Sequence, residues 1–134
     1  RSVRKNIKVF IDDAYLMPHQ SLPDTYNITS AGFRNMKLFA NFLTTYFESY
    51  TIVLQHLLQT PRNETEPKDR LKKIEALGRR MFKRNEIDRK EALSKVNYIN
   101  AIDYFNTQGI KGSEDAEKIR EYIESINQYL SHLQ

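Results

Sequence analysis

The stretch from Met36 to Gln59, MKLFANFLTTYFESYTIVLQHLLQ, constrains this chain more than any other. Met36, Phe39, Leu43, Tyr46, Tyr50, Val53 and Leu57 recur at a helical period, and Leu38, Phe42, Ile52 and Leu54 add a second stripe. A helix apolar on two flanks has to be covered on more than one side, so it predicts the central spine of an all-α fold. Between Leu38 and Gln59 the only charge is Glu48. The segment is long enough to cross a bilayer, but Asn41, Thr44, Thr45, Glu48, Ser49, Gln55 and His56 interrupt it, and no apolar run approaches the ~18 residues that insertion needs. The expectation is therefore a covered spine that does not span a membrane. His56, near its end, reads as a surface or cap residue.

The rest of the chain must supply the cover. With 134 residues it is long enough for one domain with a real core. It holds no cysteine, which removes disulfides, thiolate nucleophiles and zinc-thiolate sites and favours a reducing compartment. It begins at Arg1, with no signal-like apolar run, and reads as a piece of something longer.

In chain order, Val3, Ile7, Phe10 and Ile11 fit one face of a helix over about 2–12, opposite Arg1, Arg4, Lys5 and Lys8. Two short apolar pieces, 14–17 and 26–28, flank a loop with Pro18 and Pro23 and predict a small hairpin, which gives the N-terminal part a winged-helix look. Thr29 or Ser30 can cap the spine. Residues 60–67, with two prolines and no apolar anchor, read as a flexible linker within the domain.

Pro67 then opens a helix whose face is Leu71, Ile74, Leu77 and Met81. Asp88 with Glu91 makes a capping-box-like pair for a short helix over 89–94. Ser94 starts a longer helix carrying Val96, Ile99, Ala101, Ile102, Tyr104 and Phe105, which ends where Gly109 can take the left-handed cap. Ser113 is placed to cap the last helix, with Ile119, Tyr122, Ile126, Tyr129 and Leu133 on one face. The sum is a single helical domain of about five or six helices, 1–134, around one long helix.

Chemistry-bearing residues are sparse. His19, His56 and His132 stand apart, no pair has metal-ligand spacing, and the four glycines are isolated. No catalytic, cofactor-binding or metal site is therefore expected. Charge is uneven: from Lys68 to Lys90 ten cations face four anions, whereas from Asp103 onward six anions face three cations. The cations concentrate at Arg79, Arg80, Lys83 and Arg84. Such a cluster suits an anionic surface, an acidic protein or phosphates, or else is a solvated helix end whose cations favour the helix C-terminus.

Tyr26-Asn27-Ile28-Thr29 with Ala31-Gly32, Leu38-Phe39-Ala40 and Phe47-Glu48-Ser49-Tyr50 resembles the region that lies after the catalytic domain in the glycerol-3-phosphate acyltransferase family, which includes the dihydroxyacetone phosphate acyltransferases. Ala76-Leu77-Gly78-Arg79, then Glu91-Ala92-Leu93-Ser94, Asn100 to Phe105 and Gln108-Gly109-Ile110, are similar to the C-terminal end of the same enzymes. The resemblance spans roughly residues 26 to 110.

It implies a non-catalytic helical region of a membrane-associated enzyme of phospholipid biosynthesis, on the cytoplasmic side, which transfers an acyl group from an acyl carrier protein or coenzyme A thioester to glycerol 3-phosphate. It also implies an upstream catalytic domain as partner, with an anionic membrane surface or acyl carrier protein as further ones. The family's HxxxxD pair is matched in spacing by His19 and Asp24. That match sits in a proline-containing loop with no phosphate-binding glycine motif after it, so it is not taken as the dyad. The competing reading is a winged-helix-like or helical adaptor that binds nucleic acid or protein through the basic face. Against nucleic acid, the basic segment lacks an array of aromatics for bases.

Overall fold

The computed structural model describes the backbone over 30–133 and the side chains over 38–133. These residues form four α-helices, α1 (Ser30–Gln59), α2 (Pro67–Lys83), α3 (Lys95–Thr107) and α4 (Ala116–Leu133). Two 3₁₀ turns, Lys90–Ala92 and Ser113–Asp115, complete them, and the described residues contain no strand. The fold is all-α. The expected helix over 2–12, the hairpin and hence the full helix count lie outside the described residues.

The spine is α1, and every other described element packs on it. Its middle is enclosed: Leu43, Phe47, Ile52, Val53 and Leu54 are fully buried. Among the described side chains of α1 burial begins at Leu43; Leu38 and Phe42, counted in the second stripe, are exposed. Two hydroxyls in its buried part are accommodated by local bonding. Thr44 Oγ1 donates to Ala40 O and Thr51 Oγ1 to Phe47 O, each at 2.9 Å, so neither hydroxyl is buried unpaired.

Three helices meet through aromatic edges. Tyr50 of α1 sits against Phe105 of α3, and Phe105 against Tyr122 of α4, at centroid separations of 5.7 and 5.4 Å. Lower down, Phe47 packs on Tyr129 of α4. Edge-to-face pairs of this kind add directionality to apolar burial. On the other flank α2 buries Ile74, Leu77, Gly78 and Met81, and both α2 and α4 pack on α1. Gly78 is required by a close approach, since a Cβ there would collide with the Tyr98 hydroxyl and crowd Leu93.

The segment read as a linker is tied to the α3–α4 connection. Arg62 bonds Asp115 through Nε and Nη2, donates Nη2 to Gly109 O at 3.2 Å, and its amide donates to Glu114 Oε1 at 2.9 Å. Beside it the Ser113 amide donates to Thr60 O at 2.9 Å. Gly112 permits this: a Cβ would lie 2.5 Å from the Arg62 nitrogen. Partial burial works against the Asp115 charge, but Arg62 and the Lys111 amide outweigh it and hold the carboxyl below its ordinary range.

Candidate functional site

The basic cluster is placed by the apolar face of α2. With Ile74, Leu77 and Met81 directed at α1, the helical period turns Arg79, Arg80 and Lys83 outward, and all three are exposed. Arg84 caps the helix, its amide donating to Arg80 O, and the left-handed Asn85 (φ 62°) lets the Glu86 amide reach Met81 O at 2.9 Å. Arg84 lies 3.9 Å from Glu86, a loose surface pair, while Arg79, Arg80 and Lys83 have no ion pair among the described residues. The four cations that the sequence singled out thus stand together at one helix end, open to an anion.

The connection from that helix end to α3 is fixed by Glu48. This carboxylate on α1 is only 6% exposed, and its two oxygens accept from the Asp88 amide at 2.6 Å and the Arg89 amide at 2.9 Å. Burial raises its pKa and the two amides offset that only in part. Next to it Ser49 Oγ donates to Ala92 O at 2.7 Å and accepts from Asn97 Nδ2 at 3.1 Å. Arg89 reaches back to Asn41 Oδ1 at 2.8 Å. Glu48, Ser49 and Asn97 therefore lock the connection between α2 and α3 onto the spine. With both oxygens occupied by amides, Glu48 is a fastener. The capping-box pair of Asp88 and Glu91 does not form, because the Asp88 amide is committed to Glu48 and Arg89 heads the 3₁₀ turn without a side-chain cap.

His56 corrects the sequence reading. It is no surface residue: it is only 4% exposed, and its Nε2 has no hydrogen-bond partner among the described residues. Burial lowers its pKa to about 4, with Arg70 and Lys73 of α2 adding to the effect. The neutral imidazole is therefore the folded form. Below the ordinary value of 6.5 the unfolded chain takes up a proton that the folded chain refuses until about pH 4. Stability should fall as pH drops through that window, by up to about 3 kcal/mol. Urea unfolding of the wild type and His56→Leu between pH 7.5 and 4 isolates this contribution from the opposite one of Glu48. A gap between the two proteins that stays constant with pH would refute the assignment.

His19 and Asp24 lie outside the described residues. Among the described residues no three His, Asp or Glu side chains come together as a metal site requires.

The family model of the glycerol-3-phosphate acyltransferase C-terminal region matches residues 1–114. The chain belongs to this family. No curated protein and no solved structure matches it. As a glycerol-3-phosphate acyltransferase C-terminal region, its place is in the acyltransferase step of phospholipid synthesis. The match takes in α1 to α3 and the four cations and stops at Glu114, inside the second 3₁₀ turn. It also extends further toward the N-terminus than the stretches that carried the resemblance.

Proposed function

We propose that this region is a non-catalytic helical part of a membrane-associated glycerol-3-phosphate acyltransferase. It packs on the catalytic domain of the same protein and meets an anionic surface through Arg79, Arg80, Lys83 and Arg84. The observation that carries the second half is the exposed basic end of α2, where Arg79, Arg80 and Lys83 have no ion pair among the described residues, in a member of a phospholipid-synthesising family. No described helix is long and apolar enough to cross a membrane, so the contact would be peripheral. The anionic cytoplasmic leaflet fits it, each cation at such a surface contributing about 1 kcal/mol. For the first half, Glu48 is engaged by two amides and His56 is enclosed, so neither is free to act on a hydroxyl substrate.

The test combines an activity assay with vesicle co-sedimentation. The purified chain should transfer no acyl group to glycerol 3-phosphate. It should pellet with vesicles containing anionic lipid at low salt and be released at high salt. Replacing the four cations by Gln should weaken that binding by roughly a thousandfold, at about 1 kcal/mol each. Equal binding to neutral and anionic vesicles, or none to either, would sink the membrane contact. Parallel titrations with duplex DNA and with an acidic carrier protein would show whether another polyanion is preferred.

A further inference from the structure

Val96 is 67% exposed and Ile99 42%, although both are large aliphatic residues on a helix with a well-buried face. Their direction is set by their neighbours. Asn97 bonds Ser49 of α1, and Tyr98 lies over Gly78 of α2. An α-helix turns by about 100° per residue, so Ile99 continues that rotation past α2, on the side away from α1, and Val96 lies further round the same outer side. From α2, the charged groups that act on Tyr98 are Glu75 and Arg79. Arg79 therefore occupies the flank of α2 that borders α3, with Lys83 one turn beyond it. Lys95, exposed, begins α3. Two aliphatic side chains thus stand on one rim with Arg79, Lys83 and Lys95.

We propose that Val96 and Ile99 form an apolar wedge that enters the head-group zone of an anionic bilayer while Arg79, Lys83 and Lys95 hold its phosphates. This rests on the membrane contact proposed above and adds the part of that contact that salt does not screen. Charge complementarity selects the occupant: on the α2 side and at the start of α3 the aliphatic pair is bordered by three cations, Arg79, Lys83 and Lys95, against one carboxylate, Glu75. Long cationic stems suit a bilayer, lying along apolar surface with their heads among phosphates. A protein partner would instead call for roughly 800 Å² of complementary surface with aromatic anchors. The wedge is short. Asp103, exposed two turns after Val96 on the same outer side, limits insertion to the first turns of α3.

The experiment is quantitative binding of the chain to vesicles of anionic and neutral phospholipid at low and high salt, for wild type, Val96→Ser/Ile99→Ser and Arg79→Gln/Lys83→Gln. Both substituted aliphatics are exposed, and circular dichroism checks that the fold is kept. The Ser variant should bind anionic vesicles on the order of tenfold more weakly and lose the fraction that resists salt. The Gln variant should keep that fraction and lose the salt-sensitive one.

The absence of cysteine allows a second readout. An environment-sensitive dye on Ile99→Cys should shift its emission on anionic vesicles, and one on Glu121→Cys of α4 should not. Wild-type binding that the Ser variant matches, with no dye shift at position 99, would overturn the wedge and leave the electrostatic contact standing. No binding by wild type would overturn both. Binding to an acidic carrier protein that depends on Val96 and Ile99, without vesicle binding, would overturn the bilayer as occupant.

Discussion

A chain ended at Glu114 should lose its cooperative thermal transition. The family match stops there, but the core does not: Ile119 and Ile126 of α4 are fully buried and Tyr122 nearly so. Removing α4 strips Phe105 of Tyr122 and Phe47 of Tyr129, and opens the flank of α1 that α4 covers. It also removes Asp115, the partner of Arg62. Each large buried side chain contributes about 2–5 kcal/mol, so the loss of three is comparable with the ~5–15 kcal/mol by which a small domain is stable. Far-ultraviolet circular dichroism should show reduced helicity and a broad melt. A sharp transition within a few degrees of the full chain would show that α4 is an accessory.

Phe47→Ala should be the most damaging single change on the spine. Its ring is fully buried, with the edges of Tyr46 at 5.5 Å and Tyr129 at 5.3 Å, so neighbours from two helices lose contact at once. Truncating such a Phe costs about 3–5 kcal/mol, because rings fixed on two helices cannot close the cavity. For a chain of this size that is a drop in Tm on the order of 10–20 °C. Differential scanning calorimetry measures it. Phe42→Ala, at a partly exposed ring of the same helix, is the control and should cost far less; equal losses would mean that the burial difference between them is not what stabilises the helix.

These two residues also show what the sequence made legible. Period alone found α1, but it could not say where cover begins, and Phe42 and Phe47 look alike in a string of letters. Local signals read well because their partners are adjacent: Ser94 Oγ accepts from the Asn97 amide at 3.2 Å, and Gly109 has φ 76°. The exposure of Arg79, Arg80, Lys83 and Arg84 was legible for the same reason, since the apolar face of their own helix dictates their direction.

Long-range fasteners did not. Glu48 bonds backbone amides 40 and 41 residues away, and an amide carries no residue identity to search for. Arg62 and Asp115 sit in stretches whose composition is that of ordinary loops. Ser113, read as a helix cap, instead starts a 3₁₀ turn, with α4 beginning at Ala116. Neither the cover on His56, which read as a surface or cap residue, nor the exposure of Val96 and Ile99 was legible. Which polar residue is covered, and which aliphatic is left out, depends on a neighbouring helix.

The bond from the Ser113 amide to Thr60 O has a topological meaning. The chain leaves the spine at Thr60 and returns to the same point at Ser113, so α2 and α3 form a closed excursion with a hydrogen-bonded neck. Arg62 and Asp115 reinforce the neck, and Glu48 and Ser49 hold the excursion to α1 at a second place. Bringing the two sides of the neck together requires closing about fifty residues of chain, an entropic cost that varies only slowly with the length between. Changes at Arg62, Gly112 or Asp115 should therefore open the neck, whereas a change in the length of the α2–α3 connection should release the second fastening. The basic end of α2 and the start of α3 ride on this excursion as one unit, so a load applied there passes to the spine through the two fastenings and the packed faces of α2 and α3.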